Sequence, residues 1–171
     1  YLKDAHAQVE RRDLEGKSLG SLALPGLGSV WGLGGRVDDP EVFYLFSDFT
    51  RPTSIYRLNV ATGQSSLYRT PKVAFDSDAY VTKQVFFHSK DGTRIPMFIT
   101  HKKNLGPGPH PTLLYGYGGF NISLTPGFSV GRAVWLEQGG IYAMPNLRGG
   151  GEYGEAWHKA GTKTQKQNVF D

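Results

Sequence analysis

Between Thr112 and Met144 the chain runs strand, glycine turn, helix and strand, an order that leaves few folds open. Thr112 to Tyr117 is apolar. Ser129 to Gln138 (SVGRAVWLEQ) clusters Val130, Ala133, Val134 and Trp135 at helical spacing, Gly139-Gly140 closes it as a C-cap would, and Ile141 to Met144 is apolar again. Two strands joined by a helix pair in parallel, because an antiparallel pair needs only a tight turn, and helices then cover the faces of the sheet. The run Thr112-Leu113-Leu114 therefore reads as a strand entering a buried sheet.

That strand ends in YGYGGF, residues 115 to 120. In open α/β sheets function gathers at the carboxyl ends of parallel strands. Glycines there let the backbone turn sharply and let another group come close, since no Cβ stands in the way. In α/β-hydrolases the loop after the third strand contributes to the oxyanion hole, the donor set that stabilises the negative oxygen of a tetrahedral acyl-transfer intermediate, and YGYGGF fits such a loop. On spacing alone, a purely structural turn is the alternative. A phosphate cradle is not indicated: neither GYGG, Gly26-Leu27-Gly28 nor Gly32-Leu33-Gly34-Gly35 carries a G-x-G-x-x-G pattern or the Lys and Ser/Thr of a P-loop.

The first 75 residues have a different rhythm, short runs punctuated by Gly, Pro and Asp with no helical period. Val42 to Phe46 and Ile55 to Val60 read as strands, the second ending in Ala61-Thr62-Gly63. Val9-x-Arg11-x-Asp13-Leu14-Glu15-Gly16 resembles Ile55-x-Arg57-x-Asn59-Val60-Ala61-Thr62-Gly63, displaced by 46 residues, and each copy leads into another short run, Leu19 to Leu24 and Ser65 to Tyr68. Such a displacement suits propeller blades, and two ordinary hairpins of a sandwich remain the alternative. Near Asp76 the rhythm changes. Tyr80 to His88 and Ile95 to His101 read as strands joined across Ser89-Lys90-Asp91-Gly92, and the prolines of Asn104 to Pro111 make that stretch a surface loop.

Charge and composition exclude several classes. Residues 1 to 76 hold nine Lys/Arg against nine Asp/Glu and residues 77 to 171 ten against six, scattered apart from Lys102-Lys103, so no nucleic-acid stripe is present. No 18-residue apolar window suggests a membrane span. The absence of cysteine removes disulfides, thiolate zinc sites and a cysteine nucleophile from this stretch, and fits a reducing compartment. The five histidines, His6, His88, His101, His110 and His158, lie in no paired-ligand spacing, so neither a metal nor another cofactor is expected. The chain opens on YLKDAH without an initiator Met or leader and closes on QNVFD, which reads as an internal piece of a longer protein. A cytoplasmic setting is expected, with a periplasmic one open.

YGYGGFNISLTPGFSVGR (115 to 132), NLRGGGEYGEAWHKAG (146 to 161) and KQNVFD (166 to 171), together with SKDGTRIPMFITHKK (89 to 103), closely resemble the prolyl oligopeptidase family of serine peptidases. The resemblance implies a β-propeller capping an α/β-hydrolase domain, with the active site in the cavity between them. Residues 1–75 would be the C-terminal part of the propeller and residues 76–171 the start of the main α/β-hydrolase segment. It implies cleavage of short peptides after proline through an acyl-enzyme, with proline-containing peptides and the remainder of the same enzyme as partners, and no nucleic acid or membrane.

By the same resemblance, Tyr117 matches the tyrosine whose hydroxyl donates to the oxyanion, and Phe120 matches a wall of the pocket for the substrate proline ring. The chemistry suits both: phenols are protonated at neutral pH and donate without becoming charged, and an aromatic wall suits a saturated ring with no donor of its own. No serine of this chain, including Ser123 and Ser129, sits in G-x-S-x-G, so serine, aspartate and histidine of a triad are expected elsewhere and these residues alone should not hydrolyse anything. Arg148 reads as structural, pairing with Glu152, Glu155 or a distant acid; His158 as packing on a helix surface; Asp171 as a loop or helix N-terminal acid. Two rival readings are an oligopeptidase B-like enzyme cleaving after basic residues, whose relatives tend to carry a YGSYG-like turn, and a non-catalytic propeller binding module. A sheet cut after its first crossover exposes an edge, so the isolated chain is not expected to fold independently.

Overall fold

Alternating apolar and polar residues, interrupted by turn formers, build the first part of the chain as antiparallel β-structure. In the computed structural model, which describes all 171 residues, two compact units separate: Tyr1–Phe75 with Pro126–Ser129, and Asp76–Thr125 with Val130–Asp171.

In the first unit, β1 (Leu2–Lys3) and β2 (His6–Ala7) form a short hairpin turned by Asp4 and Ala5 at positive φ. A second hairpin pairs β3 (Glu10–Arg12) with β4 (Ser18–Ser21). A four-stranded antiparallel meander follows: β5 (Ser29–Gly34), β6 (Glu41–Ser47), β7 (Ser54–Asn59) and β8 (Ser65–Arg69). The two copies of the sequence repeat thus fall on equivalent hairpins, β3–β4 and β7–β8. Strand β5 was not legible in the sequence, because Gly32, Gly34 and Gly35 break its apolar pattern.

Period-two alternation in β6 sends Tyr44 and Phe46 into the core with Leu22 and Leu58, while Phe43 and Leu45 stay partly exposed on the other face. Tyr56 stacks on Tyr44 at 5.3 Å between ring centroids and meets Phe46 edge-on at 6.1 Å. The turn after β6 is tied by Asp48, which accepts from the Thr50 and Arg51 backbone amides at 2.8 and 2.7 Å and from the Arg51 guanidinium at 2.9 Å. Phe46 is fully buried, and its ring would lie 2.4 Å from a Cβ at Gly28, so the site is closely packed. In the full-length protein Phe46→Ala is therefore expected to destabilise this unit by about 3–5 kcal/mol, read as an earlier denaturation midpoint, with Phe43→Ala as a much milder comparison.

The second unit begins with a 3-10 turn, Ser77–Ala79, capped by the Asp76 side chain. Strands β9 (Tyr80–His88) and β10 (Arg94–Lys102) form the expected hairpin, with Gly92 at φ +82° in its turn and Asp91 accepting from the Thr93 amide at 3.0 Å. Strand β11 (Thr112–Leu114) and strand β12 (Ile141–Pro145) pair in parallel across the helix α1 (Val130–Glu137). The sheet order is β11-β12-β10-β9, so the parallel pair joins an antiparallel hairpin. A short helix α2 (Glu155–Lys159) and a 3-10 segment, Lys163–Val169, complete the unit. None of the helices is long and apolar enough to cross a membrane.

Two local expectations change. β11 is shorter than the apolar run suggested and it is an edge strand, with Leu113 46% and Leu114 66% exposed, because its second side has no neighbouring strand. In α1 the buried residues are Ala133 and Leu136, while Val130 and Val134 are exposed, so the core-facing stripe is rotated from the valine cluster. The helix ends as a Schellman motif: Gly139 N–H donates to Leu136 O at 3.0 Å and Gly140 N–H to Trp135 O at 3.2 Å, with Gly139 at φ +85°.

Candidate active site

The site is built where β11 gives way to the glycine turn. Pairing continues one residue past the strand, with the Tyr115 amide donating to Ala143 O at 2.9 Å, and then the backbone leaves the sheet. A Cβ at Gly116 would lie 2.7 Å from Leu147 Cδ1. At Gly118, with φ +62°, it would lie 2.6 Å from Val169 Cγ1, 2.7 Å from Arg148 O and 2.8 Å from Leu147 Cβ. What comes close to the turn is therefore the neighbouring loop, through the Leu147 side chain and the Arg148–Gly149 backbone, together with the Val169 side chain. Gly119 differs: a Cβ there would meet the Tyr117 ring at 3.6 Å, an ordinary contact.

Tyr117 and Phe120 come together at this turn, their rings stacked with centroids 6.5 Å apart and planes 19° from parallel. Both reach solvent, Phe120 at 84% exposure. Tyr117 also borders an apolar cavity of about 610 Å³ with Phe87, Met97, Leu147 and Phe170. Asp171 lines that cavity, after the 3-10 segment, and accepts from Gln167 Nε2 at 2.9 Å.

The second loop, Asn146 to Gly154, acts as the floor. The Asn121 amide donates to Gly149 O at 3.1 Å, and Lys166 Nζ donates to Gly118 O at 2.8 Å. From α2, Trp157 Nε1 donates to Leu147 O at 3.1 Å, and His158 Nδ1 lies 2.8 Å from Gly149 O, a contact that needs the proton on Nδ1. His158 thus fastens the loop in addition to lying on a helix.

Arg148 is 4% exposed and makes the structural contacts expected of it. Its partner is the distant acid Asp91; it also donates to Ser89 Oγ at 2.8 Å, Thr93 Oγ1 at 3.2 Å and Asn168 O at 3.1 Å. Glu155 instead pairs with Lys159 at 3.3 Å, and Glu152 accepts from amides. The Arg148 guanidinium, with help from Thr93, holds the Asp91 carboxyl well below the usual carboxylate range. A depressed carboxyl pKa stabilises the fold above the unfolded pKa and loses that contribution as the pH falls through the folded one. The tie between the β9–β10 turn and the glycine loop should thus be intact near neutrality and weaken below about pH 4. Asp91 is 46% exposed, so the effect is modest and salt-sensitive; an Asp91→Asn variant should lose this acid-dependent part of the denaturation midpoint.

Sequence reasoning missed the contacts of Asn146 and Lys166, and read Glu152 only as a possible partner of Arg148. The one hint was an acidic residue directly after three glycines in NLRGGGE, but its partner lies 28 residues earlier in the chain.

Comparison with known proteins finds matches in both units. Residues 1–71 match the family described as prolyl oligopeptidase, N-terminal beta-propeller domain, and residues 126–171 match the prolyl oligopeptidase family. A prolyl endopeptidase of Elizabethkingia meningoseptica is 53% identical over the whole chain, and one of Dictyostelium discoideum is 42% identical. The chain spans 24% of the length of the first and 23% of the second. Among solved structures, one from a mechanistic study of two prolyl endopeptidases superposes on the whole chain with TM-score 0.87 at 48% identity. Apo prolyl oligopeptidase B of Galerina marginata does so with TM-score 0.88 at 36% identity; in each case the match covers 25% of the solved chain.

Proposed function

The chain belongs to the prolyl oligopeptidase family, and from that premise we propose that it is part of a serine endopeptidase that cleaves short peptides on the carboxyl side of proline. Residues 1–75 are the C-terminal part of its β-propeller and residues 76–171 the first part of its main α/β-hydrolase segment. The observation that carries the reading is the stacked pair Tyr117 and Phe120, 6.5 Å apart at the carboxyl end of a parallel strand.

In this reading a serine supplied by the rest of the enzyme attacks the carbonyl carbon of the proline residue, and its proton passes to a histidine that an aspartate orients. The carbonyl oxygen becomes an oxyanion and accepts a hydrogen bond from the Tyr117 hydroxyl, while Phe120 forms an apolar wall for the proline ring. Collapse of the tetrahedral intermediate expels the amine, and water then releases the acyl group by the same route. Tyr117 contributes by offering more to the oxyanion than to the planar carbonyl.

The test uses the full-length enzyme that contains this chain and three blocked chromogenic peptides that differ in the residue before the leaving group. Turnover of the proline peptide well above the arginine and alanine peptides is expected. Preference for arginine would indicate oligopeptidase B-like specificity, and no turnover of any of them a binding module.

A further inference from the structure

Glu152 and Asn146 are buried, at 8% and 0% exposure, and neither has a part in the chemistry proposed above. A buried carboxylate is costly unless it is well bonded, and the partners of Glu152 are amides, not a cation. Glu152 Oε1 accepts from the Leu124 backbone amide at 2.8 Å and from Asn146 Nδ2 at 3.3 Å. Asn146 Nδ2 also donates to Leu124 O at 2.7 Å. Both backbone polar groups of Leu124 are thus held by this one pair of side chains.

Leu124 closes the segment that begins at Phe120. Phe120 and Asn121 have φ of 52° and 57°, consecutive left-handed residues with side chains, a conformation that persists where the surroundings enforce it. The enforcement is visible on both sides. Asn121 is bonded through its amide to Gly149 O, and a Cβ at Gly151 would lie 2.5 Å from Asn121 O. Beyond it, a Cβ at Gly150 would lie 2.9 Å from Ile122 O and 2.2 Å from Glu152 Oε2.

We propose that Glu152, acting with Asn146 through the Leu124 backbone, is a positioning residue that holds Phe120 in its left-handed conformation and so sets the preference for proline. The proposal rests on Phe120 being the pocket wall. Gly118, next to Tyr117, is held by Arg148 O and Lys166, whereas Glu152 and Asn146 bond Leu124, so the clamp acts on selectivity more than on oxyanion stabilisation.

The experiment compares kcat and KM of the full-length enzyme on two blocked peptides, with proline or alanine before the leaving group. Glu152→Ala is expected to lower the proline preference in kcat/KM ~10-fold or more, through KM for the proline peptide, with kcat little changed. Glu152→Gln keeps an acceptor for the Leu124 amide and should restore most of the preference. Gly151→Ala displaces Asn121 while leaving Glu152 in place, and should reproduce the loss; it decides the matter if Glu152→Ala does not fold. An unchanged preference in folded Glu152→Ala, or in Gly151→Ala, overturns the proposal, as does an equal fall in kcat for both peptides. Phe120→Ala with unaltered preference would instead remove the reading of Phe120 on which it stands.

Discussion

Tyr117→Phe is expected to lower kcat of the full-length enzyme about 10²- to 10³-fold, the loss of roughly 2.7–4 kcal/mol that removal of the proposed oxyanion donor would bring. The change deletes a hydroxyl and keeps the ring. The stack on Phe120, 6.5 Å between centroids, and the contact with the apolar cavity are retained, so KM for a proline peptide should stay close to its original value. A fall in kcat with KM unchanged is the signature of an interaction made chiefly in the transition state. Steady-state kinetics on a chromogenic proline peptide would read it directly, and a kcat within twofold of the original would take Tyr117 out of the mechanism.

Gly118→Ala should be nearly as damaging without touching the hydroxyl. Its φ of +62° is left-handed, which carries about 1–2 kcal/mol for a residue with a Cβ. The new methyl would also fall 2.7 Å from Arg148 O and 2.8 Å from Leu147 Cβ, atoms that no rotamer change can move aside, adding roughly 1–3 kcal/mol of overpacking. The turn must shift to relieve this, and Tyr117 shifts with it. Both a lower thermal midpoint and a large drop in kcat are expected. Gly119→Ala, one residue on, would meet nothing nearer than the Tyr117 ring at 3.6 Å and should be mild in both measurements. Equal behaviour of the two variants would contradict the packing described for this turn.

Much of this arrangement could be read locally. The parallel pairing of β11 with β12, the hairpin at Asp91-Gly92 and the glycine cap of α1 rest on periodicity and turn chemistry confined to a few adjacent residues. Apart from the glycine-broken strand β5, the failures are tertiary. Which stripe of α1 faces inward depends on the sheet beneath it: of the apolar cluster Ala133 is buried, while Val130 and Val134 are exposed. Leu113 and Leu114 look like core residues until the strand order places them at an edge. The glycines of YGYGGF signalled a close approach correctly, yet the approaching groups are the Leu147 side chain and the Arg148–Gly149 backbone, which no local pattern identifies. Arg148 was legible as structural, but its partner Asp91 lies 57 residues away. Tyr117 and Phe120 owe their assigned roles to family resemblance, and their stacking supports those roles without testing them.

In the proposed function these residues complete the active site of a serine peptidase whose nucleophile lies outside them. Mass spectrometry of the full-length protein after reaction with a fluorophosphonate, run beside hydrolysis of a proline peptide, tests it most directly. A single adduct on a serine outside residues 1–171, formed in step with loss of turnover, is the predicted result. A correctly folded protein that forms no adduct and turns over no peptide would contradict it, and so would an adduct on a serine of this chain.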